Sequence, residues 1–270
     1  VSDDDTDREF LRAVFGQDAE LYDRSRPGYP ERMFADLAEL AGLTAHSRVL
    51  EIGCGTGQAT RALALLGCTV VGVELSSAMA AVARRNLAGF PGVTVEIGAF
   101  EDWTPPVAPF DLVLAATAFH WVDPAVRVRK AAEVLRPGGA LAVVHSEHVA
   151  GGTERFFVDA QSCYERFDPK TTPGLRLKPA ADIPREASEI DRSGRFDAAV
   201  FRRYEWEQVY PTSAYLDLLM TYSGHRALER KARNALFACL QTLIDRDHQG
   251  RISKRYLTQV TFARLSPSTR

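Results

Sequence analysis

The sequence predicts an α/β protein built on an open, doubly wound sheet of seven mostly parallel strands with an antiparallel C-terminal edge strand. Three observations carry this expectation. Between residues 47 and 145, short apolar runs alternate with helical patterns across brief loops. Several runs are almost continuously apolar, as strands covered on both faces are. A glycine-rich turn follows the first run directly. An N-terminal helical lid over 1–30, a core over 31–146, a cap inserted after the fifth strand over 147–195, and edge strands with helices over 196–270 complete the expected organisation.

The elements follow in order. Residues 9–21 have helical spacing at Phe10, Leu11, Val14 and Phe15, and the segment YDRSRPGYP then breaks into a link. Pro30 opens a helix whose apolar positions are Met33, Phe34, Leu37, Leu40 and Leu43, with Gly42 near its end. Ser47 to Ile52 is the first strand, and residues 58–66 are the helix after the glycine turn. Cys68 to Val73, ending in Glu74, is the second strand; a helix over 77–88 stops before Gly89-Phe90-Pro91-Gly92. Val93 to Ile97 and Phe110 to Ala115 are the third and fourth strands. A helix over 124–135 and a Pro137-Gly138-Gly139 turn lead to a fifth, Ala140 to His145.

Beyond residue 146 the rhythm changes. Helices are expected over 153–168, 184–192, 212–220 and 228–246, with TTPGLRLKPAADIP as an irregular link. Segments 198–208 and 256–264 are expected to form an antiparallel edge hairpin.

Composition narrows the function. The 270 residues are 46% hydrophobic, enough for a sizeable core, and 33 Lys/Arg against 35 Asp/Glu leave a net charge of -2. No overall positive field points to nucleic acid or an anionic membrane, and the pairs Arg84-Arg85 and Arg202-Arg203 read as solvated faces. No apolar run reaches the length of a spanning helix, and the acidic start VSDDDTDRE has no signal-like character. The four cysteines, at 54, 68, 163 and 239, have no metal or redox spacing and are expected as buried thiols in a reducing cytoplasm.

The chemical signal is V49-L-E-I-G-C-G-T-G57. Gly53, Gly55 and Gly57 after an apolar strand allow a tight turn and close approach of backbone to a ligand. Glu74, at the end of the second strand, either caps the next helix or accepts both hydroxyl hydrogens of a ribose; the loop before it favours the ribose. A dinucleotide loop needs glycine where Gln58 stands, and the acidic Glu51 is unhelpful beside a pyrophosphate but suits a sulfonium or ammonium group. No GKS or GKT follows, which sets aside a triphosphate loop.

On these residues the chain resembles the class I methyltransferases dependent on S-adenosylmethionine (SAM), and most nearly the bacterial small-molecule group called methyltransferase type 11 or trans-aconitate-methyltransferase-like. FDLVLAATAFHWVD (110–123), LRPGGALAVV (135–144), the segment from Phe15 to Pro30 and TYSG (221–224) extend the resemblance over most of the chain. It implies a Rossmann-like fold and SAM as cofactor. Glu51, Gly53, Cys54, Gly55 and Gly57 would wrap its methionine part, Glu74 its ribose, and the exit containing Ala99, Phe100 and Glu101 its adenine. Ala99 stands where many relatives have Asp, which leaves the adenine amine to backbone or to Glu101 or Asp102. Leu75, Ala115, Tyr22, Arg26 and His120 join the expected cofactor contacts.

Methyl transfer needs in-line approach and exclusion of water more than a conspicuous nucleophile. His120, just past the fourth strand, is the candidate base or, with Trp121, an aromatic pocket wall; Tyr22 is a candidate to close over the sulfonium. Trp121, His145, Glu147, His148, Tyr164, Arg176 and Trp206 are the candidate acceptor contacts. His145, Glu147 and His148 lack a further ligand nearby, so no metal is expected. His225 and His248 read as surface histidines. The expected activity is methylation of a small molecule, oxygen being favoured as acceptor atom, by a cytoplasmic monomer or homodimer with no nucleic-acid or membrane partner. Competing readings are NAD chemistry on the same fold, a SAM-binding regulatory module, and a methyltransferase of tRNA or protein.

Overall fold

A computed structural model of the chain describes residues 18–267. The chain divides into two compact units. One comprises Gly28–Ser146, Arg185–Tyr204 and the chain from Thr258; the other comprises the described residues up to Pro27, Glu147–Pro184 and Glu205–Leu257.

The first unit contains the parallel strands. β1 (Arg48–Ile52), β2 (Thr69–Glu74), β3 (Val93–Ile97), β4 (Phe110–Ala116) and β5 (Leu135–Val149) belong to a seven-stranded sheet completed by β6 (Val200–Pro211) and β7 (Arg251–Arg264), in the order β3-β2-β1-β4-β5-β7-β6. β1 pairs in parallel with β2 (Arg48↔Thr69 to Ile52↔Val73) and with β4 (Val49↔Leu112 to Glu51↔Leu114). β2 pairs with β3, and β4 with β5 from Leu112↔Ala140 to Ala116↔Val144. The order reverses at β1 and β4, the switch point at whose carboxyl edge such sheets bind ligands.

Strand alternation explains why the runs look continuously apolar. Leu50, Val113, Leu141 and Val143 enter one core cluster, while Val49, Leu112, Leu114, Ala140 and Ala142 enter another. Side chains alternate sides along a strand, so both faces are covered. α2 (Glu31–Ala41) places Met33, Phe34 and Leu37 in the second cluster and ends at Gly42, whose φ of 66° is a left-handed stop. α3 (Gln58–Leu65), α4 (Ser77–Asn86), α5 (Arg127–Val134) and the short α7 (Ser188–Arg192) complete this unit. The expected edge hairpin is represented by β7 beside β5 and β6 outermost, and an antiparallel bridge joins Phe196 to Leu265.

The second unit carries α1 (Ala19–Ser25), α6 (Glu154–Phe167), α8 (Thr212–Met220), α9 (Ser223–Ala227) and α10 (Arg230–Asp247). Phe156, Cys163, Tyr215, Leu218, Leu236, Leu240 and Ile244 form its core. Of the helix expected over 9–21, residues up to 17 lie outside the described residues. The cysteine expectation needs correction: Cys163 on α6 and Cys239 on α10 are joined in a disulfide, 76 residues apart, and only Cys54 and Cys68 are free, buried thiols. A separation of that size leaves no local spacing to read, because helix packing brings the two together.

Candidate functional site

The turn after β1 has left-handed backbone at all three glycines, with φ of 66° at Gly53, 58° at Gly55 and 90° at Gly57. Space is short as well. A Cβ on Gly53 would lie 2.5 Å from Ala118 Cβ, and one on Gly57 would lie 2.7 Å from Leu87 Cδ1. The Gly53 N–H donates to Val73 O at 2.8 Å, which seats the turn against the end of β2.

Glu74 lies at that end. Its carboxylate accepts from the Gly55 N–H at 2.9 Å and from the Ser76 N–H at 2.8 Å. Ser76 caps α4, accepting from Met79 N. One acid therefore ties the glycine turn to the start of the next helix. Glu51 is only 1% exposed, and Thr60 Oγ1 donates to its carboxyl at 2.6 Å. Burial pushes its pKa up to about 8; the Thr60 hydrogen bond opposes this and the charge of Glu74 adds to it. The Cys54 thiol is likewise pushed up, by burial first and then by Glu51 and Glu74, so it stays protonated and packs against Gly72.

Around the same edge, Leu75 is 42% exposed directly after Glu74. Beyond β3, the Ala99 carbonyl accepts from Asp102 N (3.1 Å) and Trp103 N (2.9 Å), folding a tight turn. Phe100 is buried and stacks on Trp103 at 6.4 Å, so its ring belongs to the core. The Glu101 carboxylate accepts from Asp123 N at 3.1 Å. Ala115 is fully buried in the core, inside the strand end rather than on its rim.

The rim past β4 begins with a residue that the sequence did not single out. Thr117 has a φ of 57°, an uncommon conformation for a β-branched residue, and its N–H donates to Val144 O at 2.8 Å. Its hydroxyl meets Tyr29 OH at 3.0 Å. A single turn of 3₁₀ helix, Phe119–Trp121, then presents His120. The His120 ring lies 4.8 Å from that of Trp121 and 6.3 Å from that of His145. Desolvation by these walls lowers its pKa to about 4, with His145 and Arg127 adding to the shift. His120 keeps a solvent-exposed edge that tempers the shift, but the direction leaves the imidazole neutral at pH 7. Arg127 donates to Phe119 O at 2.8 Å and pairs with Glu189, which fixes this turn from behind.

Glu51, Gly53, Cys54, Gly55, Gly57, Glu74, Leu75, Ala99, Phe100, Glu101, Ala115, His120, Trp121 and His145 all belong to the first unit. Tyr22, Arg26, Glu147, His148, Tyr164, Arg176 and Trp206 belong to the second. There Arg26 Cζ lies 5.1 Å from the Tyr22 ring centroid and 4.4 Å from that of Tyr222, and its Nη2 donates to Thr221 O at 3.1 Å. His148, Tyr164 and Leu175 line a cavity of about 360 Å³, whereas Arg176 is exposed and donates to Leu175 O. Trp206 stacks on Tyr256 at 4.8 Å, and Glu147 is exposed.

His225 and His248 depart from the expected surface setting. His225 Nε2 bonds Tyr164 OH at 3.1 Å, and His248 packs 5.6 Å from the Phe156 ring. Lys254 and Tyr222 are further polar groups that the sequence reading missed. Lys254 is 4% exposed and donates to Tyr222 OH at 3.2 Å. Burial alone would push the Tyr222 phenol up, yet Lys254 and Arg26 on either side pull it below its ordinary value. The sequence signal was slight: Lys254 stands among alternating polar residues in RISKRY, which resembles a solvated edge. Among the described residues no three His, Cys, Asp or Glu side chains gather as a metal site, and no helix is long and apolar enough to cross a membrane.

Comparison with known proteins agrees with this geometry. Residues 49–139 match a family described as a methyltransferase domain. An uncharacterized methyltransferase of Mycobacterium tuberculosis is 38% identical over 137 residues, 51% of this chain and 54% of that protein. A demethylmenaquinone methyltransferase of Tropheryma whipplei is 31% identical over 143 residues, 51% and 59% of the two chains. The chain thus spans between half and two thirds of the length of these curated relatives. The solved structure of a proposed type II methyltransferase from Anaeromyxobacter dehalogenans superposes with a TM-score of 0.61 at 26% identity, covering 90% of this chain and 99% of the other. Residues 49–139, which carry the glycine turn, Glu74 and the β4 exit, are thus the part of the chain that matches a methyltransferase domain.

Proposed function

We propose that the chain transfers a methyl group from SAM to a small-molecule acceptor, at oxygen in preference to nitrogen or carbon. The observation that carries this reading is the Glu74 carboxylate, bonded to Gly55 N–H at the carboxyl edge of β1 and β2. An ionised carboxylate offers about four lone-pair positions, so Glu74 can hold the two hydroxyls of a ribose while still anchored to the loop. The crowded glycines fit the cofactor, since main chain rather than side chain faces the ligand there. Leu75 and the main chain of Ala99 to Glu101 offer the adenine walls.

When bound, SAM supplies an activated methyl group on a sulfonium cation. Glu51 answers that cation: buried and largely protonated without ligand, it gives up its proton when positive charge arrives. His120, held neutral, orients an acceptor oxygen or receives its proton, and Trp121 excludes water beside it. Tyr22 and Arg26 remain proposed cofactor contacts on the resemblance of their segment.

A screen tests the reading. The full chain is incubated with SAM and a panel of small phenols, carboxylic acids and amines, and products are read by mass spectrometry. Gain of one methylene mass on an oxygen acceptor is expected. Gain only on protein or tRNA added to the same mixture would reject the small-molecule reading.

A further inference from the structure

In the second unit, Phe157, Ala160, Gln161 and Tyr164 occur at helical spacing on α6 and so share one face. That face looks onto the cavity of about 360 Å³, whose walls also include His148 and Tyr215. The volume falls in the range of small-molecule sites, and the rings of Phe157, Tyr164 and Tyr215 give it an aromatic lining.

Two polar side chains of the wall are held by the protein itself, and a third is not. Gln161 Nε2 donates to Thr172 O at 2.9 Å and to Glu165 at 3.3 Å, holding the loop that follows α6. Tyr164 OH is tied to His225. His148 Nε2 is buried and has no hydrogen-bond partner among the described residues. Its ring is fixed by the edge of Phe157 at 4.4 Å and by Tyr256 at 6.3 Å. A buried polar atom left unmet costs about 1–3 kcal/mol, which a ligand atom can relieve.

Charge around that nitrogen selects the ligand. Burial pushes the His148 imidazole down to about 2, and Lys254 adds to the shift. Lys254 is buried and has no carboxylate within ion-pair distance among the described residues, so its charge is felt at His148 and again at His225. Asp168 acts in the opposite sense at His225 and Tyr164, and Lys170 lies on the cavity wall. A neutral nitrogen with positive charge behind it suits an acidic O–H donor, whose developing negative oxygen the lysine favours.

We propose that this cavity takes the ring of an aromatic ligand carrying one phenolic hydroxyl, hydrogen-bonded through that hydroxyl to His148 Nε2. The binding claim concerns this unit alone and does not depend on the methyltransferase reading above.

Calorimetric titration of the full chain with 2-naphthol, naphthalene and 1-naphthoate tests it. Saturable binding of 2-naphthol, about tenfold tighter than naphthalene, is expected on the scale of one buried hydrogen bond. His148→Phe keeps the aromatic packing and should erase that preference. Ala160→Phe fills the space and should abolish binding of both. No saturable binding, equal affinities, a preference that survives in His148→Phe, or tighter binding of 1-naphthoate would each overturn the proposal. SAM is titrated into the same preparations. SAM bound with 2-naphthol unbound overturns the cavity assignment alone; 2-naphthol bound with SAM unbound supports the cavity and removes the methyltransferase reading.

Discussion

Glu51 and Glu74 sit in contrasting surroundings. Glu74 is held by two backbone donors, the setting of a working carboxylate. Glu51 has one hydroxyl donor and almost no exposure, so it keeps its proton up to about pH 8. The sign of the resulting pH effect follows. A carboxyl whose folded pKa lies above its unfolded value stabilises the fold fully below about pH 4.5, and this contribution is lost as pH rises through 8. Glu51→Gln should therefore raise the ligand-free melting midpoint at pH 8 and leave it nearly unchanged at pH 5. Cation binding runs the other way: SAM affinity should rise between pH 6 and 8, while the demethylated product, with no sulfonium, should depend on pH less steeply. Equal slopes in calorimetry would separate Glu51 from the sulfonium. For His120, a pKa near 4 predicts no loss of rate from its titration between pH 6 and 9. His120→Ala should slow single turnover by about a hundredfold if it takes the proton; a wild-type rate would leave it a wall.

The elements that position these residues differ in how plainly the sequence announced them. β1 to β4 fall within a residue or two of their expected bounds: β1, β2 and β4 are buried along most of their length and so read as nearly continuous apolar runs, while β3, at the sheet edge, is marked by the Gly89–Gly92 turn before it. The glycine turn was equally legible, since φ near 60° with 2.5 Å to the next side chain admits nothing larger. Gly53→Ala should destabilise the fold by about 1–3 kcal/mol and weaken SAM binding further, measured by chemical denaturation and titration. β7 begins five residues earlier than expected, at Arg251, because its first turns of sequence are polar. Ser253 and Arg255 answer Glu207 of β6 there, with Arg255 donating to it at 2.8 and 2.9 Å. The pairing of Cys163 with Cys239 was hidden for a related reason, since it depends on how α6 packs on α10. Thiol titration of the denatured, unreduced chain should count two thiols; four would contradict the disulfide.

Across the whole chain, the division into units is the feature least visible in the sequence. β5, β6 and β7 are each long enough to belong to both units, so no linker or change of composition marks the boundary. The cofactor half was readable because it rests on one local turn and one acid seventeen residues on. The cavity of the other unit was not, because its walls come from residues 148, 157–177 and 215, so that His148 and Tyr164, both expected as acceptor contacts, stand too far apart in the sequence to outline it. The proposed cofactor site thus rests on residues 49–139, which match a methyltransferase domain, while the proposed ligand cavity is built from the later half of the chain.

Calorimetry with SAM and with NAD, on wild type and on Glu74→Ala, tests the foundation most directly. Saturable SAM binding, no NAD binding, and a loss of about 1–3 kcal/mol in the variant are predicted. NAD binding without SAM, or an unchanged SAM affinity once Glu74 is removed, would contradict it.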